Sequence, residues 1–314
     1  MTRQNHKRLK SFNLIFDQPL LYWIMKPMQK CKILVDDKAF IMNINTSDTT
    51  QLDIVNHIQH GQFYEHETSL LFMRVLRPGD AVVDVGANAG YFSFLSAVRV
   101  GSAGRVLAIE ANPRNTRQIL DSIDVNIDYR FFEKAVVTVD NIAVAAEAAD
   151  IMFATGGDND SNGGIVPEKT AHDTPGANEF VIKAKPLDAL LRHHGLSHLK
   201  LLKIDTEGHE VEVLRGARSL LERSAVDFIV CELNLPGLEL RGMTQWTLRH
   251  LLSGYGYATF LLDHDGILPR LVPDGTEITQ YWTSNILFAK EETIPRYWAS
   301  IENKPAAARL VASA

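Results

Sequence analysis

The sequence predicts an α/β fold in which a mostly parallel β-sheet carries helices on both faces. Short apolar runs alternate with amphipathic helical segments along most of the 314 residues, as in chains built from strand–helix–strand units. Within this pattern, residues 81–93 form an apolar run that ends at Asp84, then a glycine-rich turn, and then a helical pattern. An acid and a glycine turn after a strand are typical of a cofactor cleft at the carboxyl edge of a parallel sheet.

The predicted elements follow one another in the order that this architecture requires. A hairpin is expected at residues 31–46, because two apolar runs flank the polar turn 36–38. The long polar loop 155–178 is interpreted as a lid over the substrate, with an insert of no function as the alternative. Helices are predicted at 67–77, 113–124, 187–191, 211–221 and 244–253, and strands at 81–84, 105–109, 129–132, 199–205, 226–232, 257–262 and 285–290. A further, half-exposed strand is predicted at 180–185, where apolar and polar residues alternate.

The glycine-rich turn indicates the chemistry of its ligand. Gly86 and Gly90 lack a Cβ, so the backbone can turn tightly and a ligand can lie against it. Their spacing is not that of a dinucleotide fingerprint, because Asn88 stands where a second glycine would fall. The turn contains no basic side chain for phosphate, and Asp84 suits a cation. Glu110, 20 residues past Gly90, stands where a carboxylate would hold a ribose diol. These features favour S-adenosylmethionine, a cation with a ribose and no phosphate.

A second motif points to a known family. Residues 201–211 read Leu-Leu-Lys-Ile-Asp-Thr-Glu-Gly-His-Glu-Val, and Leu-Arg-Gly-Ala follows at 214–217. Together with Asp-Val-Gly-Ala-Asn-Ala-Gly at 84–90, the chain resembles the FkbM family of S-adenosylmethionine-dependent methyltransferases over residues 60–290. The resemblance implies a Rossmann-like class I methyltransferase fold with seven strands, the last inserted antiparallel. His209 departs from the family pattern, which more often has a small or apolar residue there.

Cofactor contacts are predicted from the turn, the acid after the second strand, and the ends of two later strands. Glu133 is included because, in this class of fold, the residues just after the third strand border the adenine, and that strand is predicted at 129–132. The predicted set is Asp84, Gly86, Ala87, Asn88, Gly90, Glu110, Glu133 and Asp205.

The candidate catalytic residues are Asp205, His209 and Glu232. A hydroxyl that accepts a methyl group must lose its proton, so a general base is needed close by. Asp205 ends the predicted fourth strand, which should lie beside the first, and Glu232 ends the fifth. The alternatives are structural: Glu207 and Glu210 could only cap the following helix, and Lys203 could be a buried partner for one of the carboxylates.

No metal site is predicted. The spacing of His57, His60 and His66, without cysteine or a nearby carboxylate cluster, fits no usual zinc pattern. A divalent ion held by Asp205 and Glu232 is kept as a side hypothesis, because the motif contains no dedicated ligand set.

Composition and length suggest three segments and a reducing compartment. Residues 1–60 are predicted to be an N-terminal extension of helix and hairpin, 61–295 the S-adenosylmethionine-binding domain, and 296–314 a C-terminal tail. The net charge of −6 argues against a nucleic-acid partner, and two cysteines are too few for a secreted disulfide scaffold, so a cytoplasmic location is expected. Residues 12–28 are too broken to span a bilayer; they are interpreted as a helix that packs on the domain or forms a homodimer contact, with peripheral membrane attachment as the alternative.

The resemblance implies O-methylation of a hydroxyl on a sugar, glycan, lipid or polyketide-like metabolite. One alternative is an NAD-dependent oxidoreductase of the short-chain type, but the one Tyr-x-x-x-Lys, from Tyr22 to Lys26, precedes the glycine turn instead of following the fourth strand. The other alternative is a methyltransferase-like protein that binds a partner without catalysis.

Overall fold

The chain folds around one central β-sheet flanked by two smaller ones. The computed structural model describes residues 28–132, 136–156, 159–166, 176, 178–262, 268–279, 284–298 and 309–311. In chain order the strands are β1 (Met28–Val35), β2 (Lys38–Asn45), β3 (Ala81–Val85), β4 (Arg105–Glu110), β5 (Val137–Asn141), β6 (Ala143–Val144), β7 (Ala149–Gly156), β8 (Asn159–Ile165), β9 (Glu179–Lys185), β10 (Leu199–Ile204), β11 (Val226–Leu233), β12 (Ala258–Leu261), β13 (Arg270–Val272), β14 (Ser284–Ala289) and β15 (Arg309–Val311).

Helices connect most of these strands. They are α1 (Thr49–Gln59), α2 (His66–Val75), α3 (Tyr91–Val100), α4 (Pro113–Asp128), α5 (Leu187–His193), α6 (Glu210–Arg215), α7 (Arg218–Glu222), α8 (Leu235–Leu240), α9 (Gln245–Ser253) and α10 (Ile294–Trp298), the last preceded by a 3₁₀ turn at Glu291–Thr293. No helix in the described part of the chain is both long enough and apolar enough to span a bilayer.

The central sheet has the order β13-β12-β14-β11-β10-β3-β4-β5. The strands from β11 to β5 run parallel, and β14 is antiparallel to both of its neighbours. The chain runs outward from β3 to β5 and returns on the other side at β10, so the switch point lies between β3 and β10. A ligand crevice is expected outside the carboxyl ends of these strands. The predicted pairing of the fourth core strand with the first is confirmed, and β13 adds an eighth strand to the seven expected.

Apolar side chains on alternate sheet positions build two separate cores. On β3, Val82 packs into the core formed with helices α1 to α4, whereas Val83 belongs to the core formed with helices α5 to α9. This division follows from the pleat, which sends successive side chains to opposite faces. It confirms the prediction of a sheet covered by helices on both sides.

The predicted N-terminal hairpin is also confirmed, as β1 and β2. Asn126 of α4 is fully buried and bonds the peptide of Ile41 from both sides: Ile41 N donates to its Oδ1 at 2.7 Å, and its Nδ2 donates to Ile41 O at 2.6 Å. β15 pairs antiparallel with β1, so part of the predicted tail joins this sheet. Residues 1–27 of the predicted extension lie outside the described residues.

The strand predicted at residues 129–132 is wrong. α4 continues to Asp128, the chain turns there, and the third parallel strand is β5. The aromatic residues that suggested a strand pack otherwise: Phe132 stacks on Phe94 with ring centroids 6.0 Å apart. Residues just after β5 do line the cavity described below, but Glu133 lies outside the described residues.

Two further predictions need correction. The loop predicted at 155–178 contains β8, which pairs with β7 in a four-stranded sheet of order β6-β9-β7-β8. The helix predicted at 211–221 is split into α6 and α7. Gly216 lies at this break, where a Cβ would lie 2.3 Å from the carbonyl oxygen of Ala145, so the chain packs there without a side chain.

Candidate active site

A cavity of about 490 Å³ opens at the carboxyl ends of β3, β4 and β10, where the switch point predicts a ligand. This volume lies within the range typical of small-molecule sites. Its walls come from the glycine turn, the loop after β10, the adjacent ends of β11 and β14, and α1. The predicted site residues that line it are Gly86, Asn88, Glu110, Asp205 and Glu232.

The glycine turn packs directly against the loop after β10. Gly86 has φ +80°, and its amide donates to Ile109 O at 2.9 Å. A Cβ on Gly86 would lie 1.7 Å from the carbonyl oxygen of Asp205. The glycine is therefore required by a neighbouring backbone as well as by the sharp turn, because no other residue avoids this overlap.

Glu110 holds the turn in shape and also faces the cavity. Its Oε2 accepts from the amide of Asn88 at 2.7 Å, and its Oε1 accepts from the amide of Asn112 at 2.8 Å. Burial raises the pKa of Glu110 to about 7, although these backbone hydrogen bonds oppose the shift. Each carboxylate oxygen has a further lone pair, so the group can still accept from ribose hydroxyls.

Asp84, Ala87 and Gly90 do not line the cavity. Asp84 is 1% exposed and lies at the end of β3, where its Oδ2 accepts from the hydroxyl of Ser93 at 2.7 Å. Its Oδ1 has no hydrogen-bond partner among the described residues. Burial raises the pKa of this carboxyl. The structure places Asp84 beneath the turn, where it supports α3, and not against the ligand space.

Lys203 is a buried cation behind the cavity wall. Its ammonium donates to Asp205 Oδ2 at 2.6 Å and lies 4.7 Å from the centroid of the Phe92 ring. Burial alone would lower the pKa of Lys203, but the carboxylates of Asp205, Glu65 and Asp84 raise it, so the side chain stays charged. The prediction that Lys203 is a buried partner of a motif carboxylate agrees with this geometry.

Three carboxylates meet at one side of the cavity. One oxygen each from Asp205, Glu207 and Glu232 lies within 4.8 Å of the others. Glu207 has φ +53°, and its Oε2 accepts from the side-chain amide of Asn234 at 2.7 Å. Burial raises the pKa of Glu232 well above its usual value, and the neighbouring carboxylates add to the shift. The sequence predicted that Asp205 and Glu232 would meet here, and a helix cap was the structural alternative considered for Glu207.

His209 is not brought to the cavity. Both of its ring nitrogens are shielded from solvent and have no hydrogen-bond partner among the described residues. Burial, with Arg241 nearby, lowers the pKa of His209 to about 4, so the ring is neutral. Glu210 has the structural role considered from sequence: its Oε1 accepts from the amides of Gly208 at 2.8 Å and Thr206 at 3.2 Å.

Glu65 is a cavity residue that the sequence did not reveal. It stands at the N-cap of α2 with φ +41° but makes no capping hydrogen bond. Its Oε2 accepts instead from the side-chain amide of Asn285 at 2.5 Å. Burial raises the pKa of Glu65 to about 7, and the nearby Lys203 opposes the shift. An acid at the start of a helix is expected to cap it, so the sequence position of Glu65 did not predict its place in the cavity.

The wall formed by α1 was also missed. Thr50, Asp53 and His57 of α1 line the cavity, whereas the sequence led us to consider His57 only as a metal ligand. His57 Nδ1 lies 3.3 Å from Asp53 Oδ1 on the same helix. Their spacing of four residues was the available signal, since it places both side chains on one helical face.

The sheet order, the glycine turn and the acid at the end of β4 define a class I methyltransferase fold with an S-adenosylmethionine cleft. The family model described as "Methyltransferase FkbM domain" matches residues 84–258, which is more than half of the chain. The chain therefore belongs to the FkbM family of S-adenosylmethionine-dependent methyltransferases.

Individual relatives are distant and match only in part. The ribosomal RNA large subunit methyltransferase E of Azoarcus sp. is 36% identical over 80 residues, which is 26% of this chain and 37% of that protein. The hexuronic acid methyltransferase AglP of Haloferax volcanii is 22% identical over 183 residues, 58% of this chain and 66% of that protein. The crystal structure of an FkbM methyltransferase from Methylobacillus flagellatus has a TM-score of 0.44 at 16% identity, covering 70% of this chain and 50% of the other. This chain thus spans less than two thirds of each of these proteins.

Proposed function

We propose that this methyltransferase acts on a hydroxyl of an uncharged, polyhydroxylated acceptor such as a sugar unit of a glycan. The observation that carries the proposal is the acidic lining of the cavity. Among the described residues that line it there are six carboxylates and neither lysine nor arginine; the acids are Asp53, Glu65, Glu110, Asp205, Glu207 and Glu232.

This charge distribution selects between acceptor classes. Phosphate groups of RNA or of lipids would meet carboxylates without a cation in the wall, and like charges at close range are unfavourable. Sugar hydroxyls, in contrast, can donate hydrogen bonds to carboxylates, and such charge-assisted bonds are among the stronger ones. The hexuronic acid acted on by the Haloferax volcanii relative supports a sugar acceptor, but its carboxylate fits this cavity less well than a neutral sugar.

The proposed mechanism is an in-line displacement. Gly86, Asn88 and Glu110 hold the donor, and the acceptor hydroxyl lies against Asp205 and Glu232. An oxygen–methyl carbon bond forms as the carbon–sulfur bond breaks, the sulfonium becomes a neutral thioether, and the hydroxyl proton passes to a carboxylate. Alignment of the reacting atoms can account for about 7–11 kcal/mol of the barrier. His209 has no part in this proposal, because it lies away from the cavity.

The experiment is a transfer assay with labelled S-adenosylmethionine and four acceptor classes. Neutral glycosides, uronides, an RNA oligonucleotide and anionic lipid vesicles are offered at equal concentration. We expect label on the neutral glycosides and little on the other three. Label on RNA or lipid alone would overturn the proposed acceptor class. Binding of S-adenosylhomocysteine without transfer to any class would favour a non-catalytic binding protein.

A matched pair of variants connects the activity to the cavity. Glu232→Gln keeps the size of a cavity carboxyl and removes its ability to accept a proton, and we expect a rate loss of about 100-fold or more, the usual contribution of general base catalysis. Glu222→Gln makes the same change in α7 on an exposed acid that pairs with Arg218, away from the cavity lining. It should leave the rate unchanged. Equal effects of the two substitutions would show that Glu232 has no specific role in catalysis.

A further inference from the structure

We propose that Asp205, Glu207 and Glu232 bind one divalent cation of the magnesium or calcium kind at the acceptor side of the cavity. This carboxylate trio is defined by these three residues. The proposal takes up the side hypothesis of a divalent ion at Asp205 and Glu232 and adds Glu207 to its ligands. The catalytic role of the ion rests on the proposed function, but the binding of the ion does not.

The first observation is geometric. One oxygen from each member of the trio lies within 4.8 Å of the other two, so a single ion between them can contact all three. The ligands come from the segment after β10 and from the end of β11, which pair as neighbours in the parallel sheet. The sheet thus fixes the separation of Asp205 and Glu232. Oxygen ligands without histidine or cysteine suit magnesium or calcium better than zinc.

The second observation is a pair of buried oxygens without partners. Glu232 Oε2 is shielded from solvent and accepts no hydrogen bond among the described residues. The same is true of Asn285 Oδ1, an amide oxygen outside the trio. Asn285 faces Glu232 directly in the β11–β14 register, and both residues line the cavity. Buried acceptors without partners are costly, and a cation bound at Glu232 would supply the partner that its Oε2 lacks.

The third observation is the charge balance around the trio. The ammonium of Lys203 is placed on Asp205 Oδ2. Glu207 is held by the neutral amide of Asn234, and among the described ion pairs none joins Glu207 or Glu232 to a cationic side chain. Two of the three carboxyl groups therefore have no cationic partner among the described ion pairs, and a bound cation is the partner that they lack.

A cation at this position would also serve the proposed reaction. Magnesium and calcium keep coordination sites for water or for substrate oxygens beyond those filled by protein carboxylates. An acceptor hydroxyl in such a site would be placed beside the cofactor turn and would lose its proton more readily, as oxygens bound to metal ions do.

The test uses the full chain, stripped of metal with a chelator and saturated with S-adenosylhomocysteine. Isothermal titration with MgCl₂ and, separately, CaCl₂ should show one ion per chain, and Mn²⁺ should lose its free-ion electron paramagnetic resonance signal at the same ratio. Glu232→Gln should weaken binding by about tenfold or more. If Glu232→Gln does not fold, Glu207→Gln removes a different ligand of the trio and tests the same prediction.

The control is Asp53→Asn, which removes a carboxylate of α1 that lines the same cavity but lies outside the trio. It should bind the ion as the unmodified protein does. Equal weakening by Asp53→Asn and Glu232→Gln would mean general attraction to an acidic cavity and would overturn the site. Absence of any binding would do the same. Because S-adenosylhomocysteine binding and methyl transfer are measured separately, failure of the metal site leaves the proposed function to its own test.

Discussion

The carbonyl oxygen of Asp205 occupies the space in which a side chain on Gly86 would begin. The two backbones are so close that a Cβ on Gly86 would be 1.7 Å from this oxygen, and the amide of Asp205 donates to Val85 O at 2.9 Å. The turn that holds the cofactor and the segment that carries the carboxylate trio are therefore one packed unit. Displacing either should disturb both.

Gly86→Ala should test this contact. The added methyl group would overlap a backbone atom that cannot rotate away, and alanine would also be strained at φ +80°. We expect a loss of about 3 kcal/mol or more in the free energy of unfolding, together with loss of S-adenosylhomocysteine binding. Urea denaturation and isothermal titration measure the two effects.

Gly275→Ala separates strain from overlap. Gly275 has φ +81°, nearly the value at Gly86, but a Cβ there would meet nothing within 4 Å. The free energy of unfolding of this variant should fall only by the cost of alanine in a left-handed conformation, about 1–2 kcal/mol. The variant should bind S-adenosylhomocysteine normally. Equal losses in the two variants would show that the contact with Asp205 contributes nothing.

Lys203→Met should be among the more harmful substitutions in the chain. The side chain of Lys203 is 3% exposed, and its ammonium is the partner of Asp205. Methionine would fill the space but would leave the carboxylates of Asp205, Glu65 and Asp84 without this cation. Breaking a buried pair from one side costs about 3–5 kcal/mol. Chemical denaturation of the variant at neutral pH measures the loss.

The double variant Lys203→Met with Asp205→Asn shows how much of this loss belongs to the pair. Removing the second charge should restore part of the stability, because the remaining amide is cheaper to bury than an unpaired carboxylate. Strict additivity of the two single changes would mean that the ion pair is not the source of the effect.

Glu110 should make cofactor binding depend on pH. Its folded pKa is raised to about 7, above the usual glutamate value, so below pH 7 the folded protein without cofactor holds a proton there. Ribose hydroxyls donate to the ionised form, so binding should release that proton. The affinity for S-adenosylhomocysteine should therefore fall as pH drops below about 7, by at most about tenfold per pH unit.

Isothermal titration in two buffers of different ionisation enthalpy measures the proton released by Glu110. The release should approach one proton near pH 6 and vanish above pH 8. Glu110→Gln should bind more weakly and show no release in this range. Proton uptake on binding would contradict the assignment, because it would require the protonated form to be the one that binds.

Parts of this fold and site follow from sequence because they depend on short motifs and on topology. The apolar run before Asp84 identified β3, and the rule that ligands bind at the switch point placed Asp205 beside it. Gly86 and Glu110 line the cavity for the same reason, because each lies at the carboxyl end of a strand of the central sheet. A short sequence motif identifies such a strand end, and the sheet topology then places it at the cavity.

The remainder depends on contacts between distant parts of the chain. Glu65 enters the cavity because Asn285, 220 residues away, holds its carboxyl. Asp84 has the expected position in sequence, but its depth beneath the turn is set by Ser93 and by the packing of α3. The third strand was predicted at the wrong place for a similar reason. The aromatic residues at 129–132 favour a strand in the sequence, but in the structure they form the turn that follows α4.

Ser93→Ala should show what the hydroxyl beneath the turn contributes. Ser93 is fully buried, and its hydroxyl donates to Asp84 Oδ2. Ser93→Ala would remove this side-chain hydrogen bond from a buried carboxyl, at a cost of about 1–3 kcal/mol. Ser96→Ala is the matched control, because Ser96 is equally buried on the same helix and its Oγ has no hydrogen-bond partner in the part of the chain that the structure describes. We expect Ser96→Ala to be nearly neutral in urea denaturation. If the two variants lose the same stability, the bond to Asp84 does not support the turn, and the orphaned carboxyl must be stabilised by the charge of Lys203 instead.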